Sequence, residues 1–473
     1  MLHIFRRGQP TAPGARVRQR DPGRARPLAA IGAFVIVAAC MGDGAVARYG
    51  RLIAYEPFDG TGDMCMMPAA WQRQALRALK QEAVREFQRG LPANLPESSL
   101  KEYVRRIRDE YPTFASVSVD TERNEVVFTD ESTFKILVYD RMENTPARAE
   151  ASRPKRTIAG DKTQIEFQSG VYVDQKSGEI WAANNDTRDR FVVFAAGADG
   201  DVAPLRTAET PHGTFGLVVD EAHGEALFTV QHDSAIVTYR RNADGEESPI
   251  RMLQGNRTNI QDPHGIAFDA RDDVVFVANF GSTHGVDYTS DPREGVPTAG
   301  NREGKRNWPL GREFAIPGSG TIDEPSIIVH RRLASGNVPP LRVIKGPQTQ
   351  LNWPTGLSFD PQARELFVAN DAENSVLVFD AAASGNVPPK RVIKGPKTKL
   401  ANPTGLFADV KNRELWITNF GGHSATVYDL SASGDVAPKR IIRNAPEDTP
   451  SLMIGNPGTL GYDTRRERIL VPN

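Results

Sequence analysis

Short apolar runs separated by polar turns recur along the chain from about residue 114 onward. The most regular feature is a largely apolar run that ends in Asp, followed ten residues later by the end of a second run, usually in Asn. The seven pairs of positions are Asp120 with Asp130, Asp174 with Asn184, Asp220 with Val230, Asp269 with Asn279, Asp360 with Asn370, Asp409 with Asn419, and Asp463 with Asn473. Polar turns such as PQARE separate the two runs, so each repeat predicts two adjacent antiparallel strands.

Two further apolar runs complete a repeat. The third is seen as NSVLVFD in residues 374–380 and as SATVYD in residues 424–429. The fourth begins at a Pro-x-Arg motif, whose arginines are Arg156, Arg206, Arg251, Arg342, Arg391 and Arg440. The runs lack the 3.6-residue period of a helix, and four short antiparallel strands make up a propeller blade. We interpret the periodic arginines as structural, forming ion pairs or stacking contacts between blades.

The number of repeats predicts the number of blades. Seven first strands predict an all-β fold, a seven-bladed β-propeller of four-stranded antiparallel blades over residues 113–473. The seventh repeat holds only its first two strands, and natural β-proteins avoid leaving such a strand edge unpaired. Because ARYGRLIAYEP in residues 47–57 resembles the third-strand pattern, we expect residues 48–68 to close the last blade. What supplies the fourth strand of that blade is left open.

The first 47 residues predict an export signal. Residues 1–27 carry seven Arg and one acidic residue, and LAAIGAFVIVAAC then supplies thirteen uncharged residues, the length of a signal-peptide core. Processing at Cys40, in the lipobox-like VAAC, would give a lipoprotein, whereas cleavage after Ala47 would release the chain; an uncleaved anchor is the third alternative. Each places the propeller outside the cytoplasm, in the periplasm or cell envelope. Cys65 is the only other cysteine, so no intramolecular disulfide framework is available to the mature ring.

Residues 69–112 predict a helical hairpin N-terminal to the propeller. Leu76, Leu79 and Phe87 recur along one face of its first half, and Leu100 and Ile107 do so in the second. The hairpin either packs on the propeller or serves as a docking arm for a partner. Its basic residues alternate with acidic ones, and the whole chain has 58 basic and 59 acidic residues, so we expect no binding of nucleic acid.

Several motifs resemble a known superfamily. RELFVAN, NSVLVFD and SGNVPPLRVIKG, together with WPTG and NPTG before first strands, look like the YVTN/NHL-type β-propellers over residues 114–473. That resemblance implies the propeller fold. It leaves function open, because the superfamily includes lactonase-like hydrolases, virginiamycin B lyase-like enzymes and exported proteins that bind ligands. The lyase-like members use a channel histidine with a divalent metal.

Five histidines are predicted on the face where blades are connected and second strands end. His264 occupies the position of Thr in the PTG motifs, next to the central channel, and His212 lies in the preceding connection. The other three, which follow second strands, are His232, His284 and His423. Converging imidazoles could hold a divalent metal, the candidate cofactor, or act as a general base. The alternative is that they are scattered around the ring, and no HExxH or Cys cluster supports a metal.

Residues 281–325 interrupt the fourth repeat between its second and third strands. This Gly- and Pro-rich insertion carries candidate ligand-binding residues: His284, Asp287, Tyr288 and Trp308. A loop of this length is typical of a lid or binding loop, or else is disordered. Asn279, just before it, either contacts a polar ligand in the channel or caps a turn.

Two classes of function follow from these features. The first is an exported, monomeric binding or scaffold propeller that holds a protein partner or a small polar ligand at the channel face. The second is a metal-assisted lyase or lactonase that uses His264 with His212, His232 or His284. The lack of a strong catalytic constellation favours the first class, and whether the chain is an enzyme is left open.

Overall fold

The protein is described by a computed structural model, which covers residues 109–185, 188–283, 321–451, 461–463 and 468–470. The predicted export signal with Cys40, the closing segment 48–68, and all but the last residues of the hairpin 69–112 lie outside the described residues. The same holds for His284, Asp287, Tyr288 and Trp308 in the insertion. No helix of the described part is long and apolar enough to cross a membrane.

Six four-stranded antiparallel sheets form six propeller blades. Four antiparallel strands per blade is the composition that the repeat predicts. Blades 1 to 3 contain β1 Phe114–Asp120, β2 Glu125–Asp130, β3 Lys135–Asp140, β4 Arg156–Ile158; β5 Gln168–Val173, β6 Ile180–Asn184, β7 Arg190–Phe194, β8 Arg206–Glu209; and β9 Thr214–Asp220, β10 Glu225–Val230, β11 Ala235–Arg240, β12 Arg251–Gln254. Blade 4 contains β13 Pro263–Asp269, β14 Val274–Asn279, β17 Ser326–Arg331 and β18 Arg342–Lys345. Blades 5 and 6 contain β19 Pro354–Asp360, β20 Glu365–Asn370, β21 Ser375–Asp380, β22 Arg391–Lys394; and β23 Pro403–Asp409, β24 Glu414–Asn419, β25 Ser424–Asp429, β26 Arg440–Arg443.

Two short ribbons and five 3-10 helices complete the described elements. One ribbon, β15 Ser282–Thr283 with β16 Thr321–Ile322, lies at the base of the insertion. The other pairs β27 Gly461–Asp463 with β28 Arg468–Leu470. The 3-10 helices are Asp161–Thr163, Pro347–Thr349, Asp371–Glu373, Pro396–Thr398 and Phe420–Gly422.

The periodic Asp and Asn residues fix the turns of each blade. The Asp360 carboxylate accepts hydrogen bonds from the backbone N–H groups of Gln362 at 2.8 Å and Ala363 at 3.1 Å, closing the turn between the first two strands. The Asn370 side chain accepts from the backbone N–H of Asn352 at 2.6 Å and donates to the carbonyl of Gln350 at 3.0 Å. These bonds hold the connection from the previous blade against the end of the second strand, because Asx side chains substitute for backbone partners in turns.

The Pro-x-Arg arginines form ion pairs within blades, and the prediction of ion pairs between blades was wrong. Arg156 makes a bidentate pair with Glu125, at 2.7 and 2.8 Å, across the sheet of blade 1. Arg440 pairs with Glu414 in the same way in blade 6. The contact between blades is instead to a carbonyl: Arg156 also donates to Ala196 of blade 2 at 3.0 Å.

The ring closes with six blades, so the predicted count of seven was wrong. Blade 6 lies directly beside blade 1: Thr404 donates to the carbonyl of Ala115 at 2.8 Å, and Thr145 N donates to Ile441 O at 2.8 Å. The described residues of the seventh repeat form the β27–β28 ribbon, which is not part of any of the six sheets. A sequence repeat reports the strand pattern, whereas packing between the innermost strands decides how many blades complete the circle.

The innermost strands approach each other closely around a central channel. Their repeated glycine explains this approach, because a Cβ on Gly170 would lie 2.7 Å from the carbonyl oxygen of Phe215 in the next blade. Gly265 and Gly356 face the carbonyls of Thr355 and Thr404 in the same way, with still less room. The Gly of the Thr-Gly motif therefore sets the spacing of the blades and the shape of the channel.

Candidate ligand-binding site

A cavity of about 390 Å³ occupies the channel, a size within the range of small-molecule sites. Its wall is built from the first strand of each blade and from the residue that follows the second strand. The polar and aromatic residues that distinguish one blade from another are Glu131, Phe167, Phe215, His264, Phe280, Asp371 and Phe420. The repeated strands thus form the wall around the channel, and these residues place carboxyl groups, an imidazole and phenyl rings at different points of it.

Four rings of blades 3 to 5 stack in succession along this wall. His264 lies parallel to Phe215, with centroids 4.2 Å apart, and 4.1 Å from Phe280 on its other face. Phe280 in turn lies 5.0 Å from Trp353. Trp353 is 49% exposed, so the stack extends from the buried wall to the solvent. Stacking therefore covers both faces of the His264 ring, and Trp353, which is not among the lining residues of the cavity, ends the row at the surface.

His264 is a buried polar residue of the wall whose ring nitrogens lack a partner among the described residues. It is 5% exposed, and neither ring nitrogen has a hydrogen bond to any residue that the structure describes. Burial lowers the pKa of His264 to about 3, so the imidazole is neutral at physiological pH. A neutral imidazole carries one donor and one acceptor, and leaving both unused in a buried position costs free energy.

Two carboxyl groups share the cavity with this stack. Glu131 follows β2 in blade 1, and its carboxyl has no hydrogen-bond or ion-pair partner among the described residues. Burial, and then the nearby charge of Asp130, raise the pKa of Glu131 to about 8. Asp371 follows β20 in blade 5 and accepts a hydrogen bond from Asn402 at 2.8 Å. Burial also raises the pKa of Asp371.

The structure brings two other predicted histidines together. The rings of His212 and His232 lie 5.2 Å apart, and His212 Nδ1 lies 3.0 Å from a carboxylate oxygen of Asp189. His264 is stacked on phenylalanines instead of joining them. Among the described residues, no group of three or more His, Cys, Asp or Glu side chains is arranged to hold a metal ion.

His423 and Asn279 are engaged with the chain itself. His423 is fully buried, with Nδ1 at 2.8 Å from the carbonyl oxygen of Pro112 and Nε2 at 3.1 Å from Asp109. The Asn279 amide accepts from Gln261 N at 3.0 Å and donates to Asn259 O at 2.7 Å. It also donates to Ser326 Oγ at 2.9 Å. Both side chains therefore stabilise the connections on the channel face.

Sequence reasoning missed Glu131, Asp371, Phe280 and Phe420, although the sequence contains the signal for them. They lie eleven residues after the repeated Asp, one position beyond the residue, usually Asn, that ends the second strand. The six residues at that position are Glu131, Asn185, Gln231, Phe280, Asp371 and Phe420. This variation marks a place that the fold does not constrain, and four of the six line the cavity.

Fold and site together define a β-propeller with a ligand-sized cavity in its channel. No protein-family model matches the chain, and no curated protein matches it. Among solved structures the chain is similar to Kuenenia stuttgartiensis Hydrazine Synthase, at 12% sequence identity, with 70% of this chain and 80% of that chain covered and a TM-score of 0.43.

Proposed function

We propose that the chain is an exported, monomeric cell-envelope β-propeller of the YVTN/NHL type that binds a small ligand in its central channel. The observation that carries this proposal is His264, buried in the cavity wall with both ring nitrogens lacking a described partner. A ligand that bonds to the imidazole would offset the cost of its burial. The cavity volume and the stacked rings support a small molecule rather than a protein as the occupant of the channel itself.

We also propose that the insertion 281–325 forms a lid over this site. It begins directly after Phe280, a residue of the cavity wall, and its two ends pair as the β15–β16 ribbon. A ribbon holds the ends of a long loop together at small cost, because loop-closure entropy grows only logarithmically with length. We propose that the insertion contributes ligand contacts from His284, Asp287, Tyr288 and Trp308.

The test is a ligand screen of the mature protein by thermal shift, followed by isothermal titration of each hit. We expect His264→Ala to weaken a hit at least tenfold, since it removes both the ring stack and the bonding nitrogens. His223→Ala is the matched control, because His223 is half exposed and pairs with Asp220 in an outer turn. Equal affinity of the two variants would show that the site is elsewhere. Cell fractionation tests the localisation. If the chain is a lipoprotein, the Cys40→Ser variant should be lost from the membrane fraction.

A metal-assisted lyase or lactonase is the second candidate function. It is favoured by the His212–His232 pair with the Asp189 carboxylate at hydrogen-bond distance, on the face where the blades are connected. Metal analysis of the purified protein, with lactone and ester substrates, tests this candidate. Bound metal or turnover that His212→Ala abolishes would support it. Activity that survives this change would exclude a catalytic role for the pair.

A further inference from the structure

The charge of the cavity wall is one-sided. Glu131 belongs to blade 1 and Asp371 to blade 5, so the two carboxyl groups flank blade 6, which contributes Phe420. The described part of the wall contains no Lys or Arg. Blades 2 to 4 contribute the rings of Phe167, Phe215, His264 and Phe280 and, among their described residues, no carboxyl group. Blades 5 and 6 contribute rings as well, from Phe359, Phe407 and Phe420. We call blades 5, 6 and 1 the acidic side of the cavity, because both carboxyl groups lie there, and blades 2 to 4 its aromatic side.

The acidic side is arranged for a positive charge. Removing a carboxylate from water costs free energy unless an opposite charge or hydrogen-bond donors compensate it. Glu131 has no such compensation within the described residues, and Asp371 has a single donor from Asn402. A cation near them would favour the ionised forms, whereas an anion would favour the protonated forms and would meet no basic side chain in the described wall.

The aromatic side distinguishes between kinds of cation. Uncovered faces of aromatic rings carry negative electrostatic potential and attract organic ammonium groups, and aromatic rings also pack against an apolar body. Phe215 and Phe280 cover both faces of His264, so the rings of this stack mainly offer apolar contact to the body of a ligand. They supply no oxygen ligands, which calcium and magnesium require in sets of six or more. His264 adds one acceptor and one donor among the rings, which fits a ligand that carries a polar group apart from its charge.

We propose that the channel binds a small organic cation, an amine or quaternary ammonium with an aromatic or aliphatic body. Its charge lies toward Glu131 and Asp371, and its body lies against the rings of blades 2 to 4. This inference rests on the proposed function, since it names the class of ligand for the same cavity. Binding shifts Glu131 toward its ionised form, so complex formation near pH 7 releases a proton.

The test compares three probes of similar shape: phenethylamine, 2-phenylethanol and phenylacetate. Isothermal titration should show that the amine binds at least tenfold more tightly than the neutral alcohol, with no binding of the anion. Glu131→Gln and Asp371→Asn should each remove most of that preference, and they should leave affinity for the alcohol unchanged. Glu122→Gln is the control for net charge, because Glu122 is exposed and pairs with Lys411. Titrations in buffers of different ionisation enthalpy measure the released proton.

The outcomes separate the inference from the proposed function. Equal binding of amine and alcohol, or an amine preference that survives both substitutions, overturns the inference and leaves a channel site for another ligand. Binding of none of the three probes also overturns it, and the proposed function falls as well only if the broad screen finds no ligand sensitive to His264→Ala. Stabilisation by calcium alone, lost in both carboxyl variants, would replace the organic cation with a metal ion.

Discussion

Replacing Glu131 with Gln should stabilise the protein at neutral pH. The Glu131 carboxyl lies in the cavity wall beside Asp130, which is fully buried, and no described group compensates its charge. Gln has nearly the same shape and keeps a polar end, but it cannot ionise. The substitution therefore removes the cost of holding a carboxylate at this position while leaving the packing of the wall in place.

The sign and size of the effect follow from proton linkage. The pKa of Glu131 rises from an ordinary value of 4.5 to about 8 in the folded state, so between these pH values the folded protein binds more protons than the unfolded chain. The free energy of unfolding is then highest below pH 4.5, and it falls by roughly 5 kcal/mol as the pH rises to about 8. At pH 7 the loss is about 3 kcal/mol, an upper value because the side chain keeps partial contact with solvent.

Urea unfolding of the wild type and of Glu131→Gln at pH 4, 5.5, 7 and 8.5 measures this difference. We expect equal free energies of unfolding at pH 4 and an advantage of the variant that grows to about 3 kcal/mol at pH 7. Using the difference between the two proteins cancels the titration of Asp130 and Asp371, which both retain. Glu122→Gln should show no such trend, because Glu122 lies at the surface. An advantage independent of pH, or its absence at pH 7, would refute the reasoning.

Three further predictions concern the ring and the wall. Gly356→Ala should destabilise the protein by more than about 2 kcal/mol, because its Cβ would overlap a carbonyl of the next blade, whereas Gly197→Ala, in open space, should change the melting temperature little. Glu414→Gln should cost roughly 3 kcal/mol in urea unfolding, since it leaves two buried arginines without their carboxylate; a cost below 1 kcal/mol would contradict this. His264→Phe should raise the melting temperature, because it replaces unused buried nitrogens with carbon, and should weaken ligand binding; a lower melting temperature would show that the nitrogens are compensated.

Much of the fold could be predicted from the sequence because the same short-range contacts recur from blade to blade. Alternating apolar residues specify the strands, and Asp360 and its equivalents specify where the first turn begins. Four strands per blade and their antiparallel order are confirmed, and His264 lines the cavity. These features depend on contacts within a repeat or between equivalent positions of neighbouring repeats, and such contacts leave a periodic trace.

The count of blades and the partners of the arginines could not be predicted in this way. Asp463 ends a strand in the expected register, yet β27 pairs only with β28. Whether a further repeat joins the ring depends on the angle between blades, which arises from packing between the inner strands, with a glycine against a carbonyl at five of the six interfaces. Likewise, Arg156 has acidic residues available within and between blades, and only the geometry of the sheet selects Glu125.

The cavity shows where a repeated fold can acquire a specific function. Residues that recur in most blades have structural roles, such as the glycines between inner strands and the Asn370 side chain that holds a connection. The position after each second strand varies from blade to blade: its side chain lines the cavity in four blades, whereas Asn185 in blade 2 donates to the carbonyl of Thr214 at 3.1 Å. Glu131 and Asp371 could therefore be placed on two blades, and Phe280 and Phe420 on two others, without disturbing the ring. Both carboxyl groups of the cavity wall and two of its rings therefore come from one position of the repeat, which is why the aperiodic residues of a propeller are the ones to test for ligand binding.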